Sequence, residues 1–494
     1  MESRLPGLEL LTDHQYEEAG KHLLEYLAEG TLRGVKVPYL VLKGFAGTGK
    51  SFVLNTVLNA LKYDSGRVAM SAPTHKAVKI LKRSSEIPYH FKTIHSLLRL
   101  KENISDTGKR TFVEDAWAEK IIDSCKVLIV DESSMLPIAL YEAILQYKNS
   151  RDDDFRVIFS GDPLQIPPVK ELNSKVFMSE NDPYTLTLEV PMRQAKDSGI
   201  LRFATDLRHD IEGTDVKLKN YLGEDIEVLK ENYFNDVVLP QFGEQYNENQ
   251  DSIKLLAYTN AQVEKANLMV REYRLGMLNP PKIVVGDYLV ADDHIIGKSM
   301  GKNIILAHNS DELKVLSCQV VDYQFSWAAY RTKKELMEEL FGTEPTSLSY
   351  TQINEKLNIA INTAKIKPYT DYYKKLKVYL CEVELEVEDG LTTRNIRIIH
   401  EDSEADFDLI LKGLETLASH AHIRNKAWVE KFKFERSVAY VKHNYALTVH
   451  KSQGSSYGTC ILYENDILSN RKIYERNRIL YVAATRAKKK LFII

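Results

Sequence analysis

The stretch Tyr39-Leu40-Val41-Leu42-Lys43-Gly44-Phe45-Ala46-Gly47-Thr48-Gly49-Lys50-Ser51 decides the fold. It reads as a short apolar strand, a glycine-rich loop and the start of a helix. The loop matches G-x-x-x-x-G-K-[ST] at every required position. Glycines let backbone N–H groups turn inward around phosphate oxygens, and a helix N-terminus adds partial positive charge. With glycine at about 7% of residues, a chance match in a chain this long is about 2%. The expected ligands of a triphosphate are Gly44, Ala46, Gly47, Thr48, Gly49, Lys50 and Ser51. Lys50 reaches the β- and γ-phosphates and Ser51 holds Mg²⁺.

Working outward, short buried strands are predicted at Tyr39–Lys43, Arg67–Ser71, Val127–Val130 and Arg156–Phe159. Helical patterns are predicted at Lys50–Lys62, Thr74–Ser84 and Ile138–Tyr147. That alternation predicts a parallel sheet wrapped in helices. Leu98–Glu114 breaks the rhythm as a β-hairpin turning at Ser105-Asp106-Thr107-Gly108. A second α/β set begins at Leu255–Thr259 and Ala261–Leu275, stops near Asn279-Pro280-Pro281, and returns at Cys460–Tyr463, Ile473–Ala484 and Leu491–Ile494. Between them lie β-like stretches (Val315–Tyr323, Val378–Val387, Arg394–Ile399). Polar helical patterns are expected near Lys333–Phe341 and Tyr350–Lys365, with a further helix over Glu404–Phe434. In the last, Trp428, Phe432 and Phe434 interleave with Lys431 and Lys433. That pattern fits either a stacking surface or helix packing.

The 494 residues carry 66 basic and 69 acidic side chains, a net charge of −3. A chain that binds nucleic acid through bulk charge would be more basic, so any such binding needs a local groove. No apolar run reaches the ~18 residues of a membrane span. The N-terminus does not read as a signal peptide. Four cysteines are far apart in sequence, with no metal-binding spacing, which fits a reducing cytoplasm and argues against a disulfide framework.

Val127–Val130 ends in Asp131-Glu132. At the carboxyl end of a sheet strand, Asp131 suits Mg²⁺ and Glu132 suits polarising an attacking water. Gln165, in Gly161-Asp162-Pro163-Leu164-Gln165, can hydrogen-bond a γ-phosphate or that water. Arg193 and Arg486, remote from the loop in sequence, are candidates for cations delivered from a second domain.

In order, these motifs resemble those of superfamily 1 helicases, in the branch (1B) that includes the RecD-like enzymes and the Dda helicase of T-even bacteriophages. Leu11-Thr12-Asp13-His14-Gln15 resembles the Q motif, which implies that Gln15 reads the adenine edge. Ala446–Gly454 resembles the fifth motif. Tyr481–Ala487 resembles the sixth, implying that Arg486 is an arginine finger, and Arg193 resembles the fourth motif's arginine. Ala72–Ala77 and Thr93–Ser96 resemble strand-contacting segments. DNA contacts are thereby implied at Thr74, His75, Thr93, His95, Thr448, His450 and Lys451.

The resemblance implies an α/β fold of two RecA-like domains. The first spans 1–195, with a pin hairpin at about 98–114. The second is split into 196–287 and 441–494 by an SH3-like accessory domain at 288–440 with a helical arm. Phe112 is the candidate for stacking on the separating base pair, with packing of the hairpin as its alternative. The implied activity is an ATP- and Mg²⁺-dependent helicase moving 5′→3′ on single-stranded DNA and acting at single/double-strand junctions. It is expected as a monomer in the cytoplasm (the host's, if viral), with no membrane partner. A single-strand-binding or replisome protein is a candidate partner. The alternatives are an RNA-directed helicase of the same superfamily and a non-enzymatic DNA remodelling or loading subunit.

Overall fold

The structure, a computed structural model, describes every residue except 1–4, 46, 105–109, 116–119, 152–153, 169, 179–183, 191–197, 212, 214–217, 231–232, 300–301, 331–348, 350, 353–354, 356–358, 360–368, 388–389 and 421–423. Contacts divide the chain into two compact units. Met1–Leu100, Glu114–Asn279 and Asn444–Ile494 form the first, and Lys101–Val113 with Pro280–His443 the second.

The first unit holds two parallel sheets, each belonging to a RecA-like fold. The first sheet comprises β1 (Leu40–Gly44), β2 (Val68–Ala72), β3 (His90–Thr93), β4 (Val127–Val130), β5 (Arg156–Gly161) and β6 (Thr185–Leu188), in the order β6-β1-β5-β4-β2-β3. Its strands are apolar runs because both faces are covered. One face packs a core around Leu40, Leu42, Val53, Val57 and Ile129, the other a core around Val41, Leu128, Val130, Ile144 and Phe159. Each such side chain contributes about 1.5–3 kcal/mol by leaving water. Helices α1 (Lys50–Ala60), α2 (His75–Ser84), α3 (Ile94–Leu97) and α4 (Ile138–Asn149) lie between the strands in sequence. Most expected boundaries hold to within one or two residues, although β5 continues through Ser160-Gly161.

After α5 (Gly199–His209) the second sheet begins with β7 (Ile226–Val228) and β8 (Ile253–Ala257), followed by α6 (Asn260–Leu275). It is completed by β9 (Ala446–Thr448), α7 (Val449–Ser452), β10 (Tyr457–Leu462), α8 (Ile473–Thr485) and β11 (Ala487–Ile493), in the order β7-β11-β10-β8-β9. Four of these elements escaped the sequence reading. α5 begins beyond a stretch with no clear period, and β7, β9 and α7 are only three or four residues long.

Leu100–Ile104 and Arg110–Glu114, all but their outermost residues in the second unit, pair as a two-stranded sheet. The expected turn at 105–108 lies outside the described residues. The inserted residues form an antiparallel five-stranded sheet dominated by two 19-residue strands, Glu312–Tyr330 and Tyr369–Val387. The helix expected at Lys333–Phe341 lies outside the described residues. Of Tyr350–Lys365, Thr351, Gln352, Glu355 and Ile359 are described, and all are helical.

The single helix expected over Glu404–Phe434 is two, Glu401–His420 and Arg424–Glu435. Phe434 stacks on Phe407 at 4.9 Å and is buried with Phe325, while Lys431 pairs with Glu435 and Lys433 with Glu430. Phe432 is buried too, so these aromatics serve helix packing. Cys318 and Cys381, distant in sequence, are register partners with their free thiols 3.0 Å apart. Among the described residues no helix is long and apolar enough to cross a membrane.

Candidate active site

The P-loop is shaped by backbone conformations that side chains resist. Gly47 and Gly49 sit at φ +86° and +84°. A Cβ on Gly49 would lie 2.7 Å from Gln15 Nε2. Thr48 is fully buried and its hydroxyl donates to the Phe45 carbonyl at 3.0 Å, which closes the loop on itself. Lys50 Nζ donates to the carbonyls of Gly44 (2.8 Å) and Phe45 (3.1 Å). These are the places a cation occupies when no phosphate competes for it.

Ser51 opens α1 and its hydroxyl donates to Asp131 Oδ2 at 3.1 Å. A hydroxyl and a carboxylate so paired, beside a phosphate loop, are an oxygen donor set of the kind a hard divalent cation takes. Glu132 follows at φ +50°, in the left-handed region where a non-glycine residue is strained. Its Oε2 is buried without a hydrogen-bond partner. Burial pushes its carboxyl up to about 7. Asp131 and Asp162 add to the rise, while Arg486 and Lys50 oppose it.

The other wall of the cleft comes from the second RecA-like fold. Gln453 donates from Nε2 to Gln165 Oε1 at 3.2 Å and to the Ile166 carbonyl at 3.3 Å. Arg486 is buried. Its Nε donates to the Val482 carbonyl, Nη1 to the Ser455 carbonyl at 2.7 Å and Nη2 to Thr485 Oγ1. A cavity of about 760 Å³ lies between the walls. Lys50, Ser51, Asp131, Glu132 and Gln165 line it from the first fold, and Gly454, Ser455 and Arg486 from the second. Its size and donor set fit a magnesium nucleoside triphosphate, and the orphaned Glu132 oxygen is the group such a ligand's water would satisfy.

Not every expected residue lines this wall. Gln15 is beneath the loop. Its Oε1 accepts from Thr12 N at 3.2 Å and its backbone N–H donates to Thr12 Oγ1, a capping box, while its Nε2 donates to the Thr48 carbonyl at 3.2 Å. To read a base edge it would exchange those partners. Ala46 and Arg193 lie outside the described residues. Phe112 is 55% exposed on the returning hairpin strand.

The expected strand contacts form a pattern of their own. Thr74, Thr93 and Thr448 sit at or just past the carboxyl ends of β2, β3 and β9, and each caps the helix that follows. The Oγ1 atoms accept from Ala77 N, Ser96 N and Lys451 N at 3.2–3.3 Å. The cap takes an acceptor lone pair, and for Thr74 and Thr448 it leaves the hydroxyl proton to donate outward. Thr93 gives its proton to Ser96 Oγ. His75, His95, His450 and Lys451 lie in the first turns of the same helices. Burial lowers the His450 imidazole from its ordinary value, with Glu475 opposing. The α2 turn comes close to the second fold, with Lys76 Nζ 5.9 Å from the Tyr457 ring.

Arg478, which no sequence motif singled out, and Tyr481, the first residue of the sixth-motif stretch, complete the seam. Arg478, on α8, donates to the carbonyls of Leu172 and Pro163 and to Asn173 Oδ1. Tyr481 Oη donates to Asp162 Oδ2 at 2.5 Å. α8 carries Glu475, Arg476, Asn477 and Arg478 in succession, and it is buried from Asn477 to Thr485.

Residues 32–224 match the AAA domain family and 443–494 the UvrD-like helicase C-terminal domain. The chain is 24% identical to an uncharacterised protein of Acanthamoeba polyphaga mimivirus over 95% of its own length and 97% of the relative's. It is 23% identical to the RecBCD enzyme subunit RecD of Buchnera aphidicola, over 91% of this chain and 68% of that one. The ATP-dependent DNA helicase PIF1 of Xenopus laevis is 31% identical over 27% of the chain, a match spanning 20% of the frog protein.

Proposed function

We propose that this chain, a superfamily 1B helicase of the RecD- and Pif1-like kind, hydrolyses ATP to move 5′→3′ along single-stranded DNA and to part duplex DNA ahead of it. The observation that carries the reading is the cavity in which Lys50, Ser51, Asp131 and Glu132 of one RecA-like fold face Arg486 of the other.

With ATP as substrate, Lys50 leaves the Gly44 and Phe45 carbonyls for the β- and γ-phosphates. Ser51 and Asp131 would hold Mg²⁺, which supplies charge neutralisation on the phosphate oxygens. Glu132, already raised toward neutrality, orients the attacking water and takes its proton. Arg486 exchanges the Ser455 carbonyl for the γ-phosphate, and Arg193 is the candidate second cation. Gln165, bonded to Gln453, relays the change across the seam. Closure and opening of the cleft alternate the grip of Thr74, His75, Thr93 and His95 with that of Thr448, His450 and Lys451. All of these suit phosphates rather than base edges. Gln15 remains the candidate adenine reader, and Phe112, exposed on its hairpin, the candidate wedge at the junction.

Strand displacement from 5′-tailed and 3′-tailed DNA duplexes, with matched RNA tracking strands, tests this. ATP-dependent unwinding of the 5′-tailed DNA substrate is expected. Preference for the 3′ tail would reverse the polarity, preference for RNA would move the enzyme to the RNA-directed reading, and ATPase indifferent to any strand would refute the motor.

A further inference from the structure

Arg208, near the end of α5, has no part in the cavity wall, yet it joins both sides of the cleft. Its helix belongs to the second fold. Asp225, the residue before β7, accepts from Gly199 N at 2.9 Å at the helix start, and α5 packs along α8. At the other end, the Arg208 guanidinium lies against the ring of Phe45 in the P-loop of the first fold. It also lies 5.9 Å from the ring of Tyr481 on α8, whose Oη donates to Asp162 Oδ2. Asp162 is fully buried and its Oδ1 accepts from Leu164 N, one residue before Gln165. Arg208 Nε is buried with no hydrogen-bond partner. A half-buried guanidinium so placed is costly to hold unless its neighbours are fixed.

The position of Phe45 gives this contact a use. Its carbonyl holds Lys50 Nζ at 3.1 Å, and its ring is the surface Arg208 rests on. When Lys50 turns to a phosphate, the Phe45 peptide loses that partner, and any shift it makes moves the ring beneath Arg208. A planar guanidinium follows a ring face, which an ammonium does not. The displacement then reaches α8 through Tyr481, and the loop before Gln165 through Asp162. This route is separate from Arg486, which acts on the nucleotide directly.

We propose that Arg208 is a positioning residue that carries the state of the P-loop to the second RecA-like fold, through Phe45 on one side and the Tyr481–Asp162 pair on the other. The proposal rests on the reading above that the cavity takes ATP and that the chain grips single-stranded DNA.

The test measures coupling rather than turnover. Affinity of the full-length protein for a fluorescent oligo(dT) is titrated with and without the non-hydrolysable analogue AMP-PNP, for wild type, Arg208→Ala, Arg208→Lys, Tyr481→Phe and the Arg208→Ala/Tyr481→Phe double variant. In wild type the analogue is expected to change oligonucleotide affinity by at least about fivefold. In Arg208→Ala that factor falls to within about twofold of unity, while the two separate affinities stay within about threefold of wild type. Lysine does not restore it, Tyr481→Phe lowers it too, and the double variant falls no further than Arg208→Ala. A wild-type factor retained in Arg208→Ala overturns the proposal. So does joint loss of both separate affinities and of melting temperature, which assigns Arg208 to stability alone. A wild-type protein that fails to bind oligo(dT), or whose affinity ignores the analogue, overturns the functional reading along with it.

Discussion

Lys50, donating to two carbonyls, and Arg486, donating to two others, are side chains whose partners a nucleotide can replace. Lys50→Ala should therefore lower kcat by at least about 100-fold while oligonucleotide affinity stays near wild type, since the proposed strand contacts lie elsewhere. Steady-state ATPase with fluorescence anisotropy checks both halves. Arg486→Ala should bind nucleotide and hydrolyse it about 1000-fold more slowly, which nucleotide titration beside turnover reads.

Glu132 gives a pH prediction for the nucleotide-free protein. Its folded carboxyl is raised from the ordinary 4.5 to about 7, first by burial and then by Asp131. The protonated form is thus favoured by folding. Its contribution is fully present below about pH 4.5 and is lost as pH rises through about 7. Against Glu132→Gln, wild type should lose on the order of 2–3 kcal/mol between about pH 5 and about pH 8. Denaturant melts at both values decide it, and parallel curves would refute the shift. The acidic pair and the P-loop lysine were legible in sequence because strand, loop and helix constrain one another over a dozen residues. Arg208 was not, and Tyr481 was legible only as part of the sixth-motif stretch, because their chemistry depends on partners more than a hundred residues away.

Helix caps are where the threonines proposed to touch the strand would do two jobs. Thr448→Ala should cost about 1 kcal/mol of stability through loss of the α7 cap and also weaken oligonucleotide binding, whereas Thr448→Ser should keep both. Thermal melts and anisotropy separate the two effects, and an alanine variant that melts like wild type would remove the cap. At this scale the sequence was readable at β4, α1 and α6, while the 11-residue α5 was missed and the two 19-residue strands were foreseen only in part. It failed on short elements: β7 exists because β11 pairs with it, and α7 is a single turn capped by Thr448. It also failed over Glu404–Phe434, where one apolar period runs through a break between two helices.

Across the molecule, the interruption of the second α/β set after α6 was visible as a change of texture near Pro280 and Pro281. Strand order was not, because pairing in a parallel sheet is set by crossover geometry rather than by local pattern. β11 lies between β7 and β10 and buries Leu491, Phe492 and Ile493. Removing residues 487–494 should therefore abolish cooperative unfolding of the second fold and ATP turnover together. Calorimetry beside an ATPase assay reads this, and an active truncated protein would contradict the sheet order.

That sheet also has a history in time. The register partners of Lys254 and Leu255 on β9 and β10 are made roughly 200 residues later, and ribosomes add about 5–20 residues per second. For on the order of 10–40 s β8 must stay unpaired on its apolar faces while the first sheet can already have closed. Newborn chains would thus spend their most aggregation-prone interval with half an engine assembled, so slowing synthesis over residues 280–443 should lower soluble yield without altering the finished enzyme.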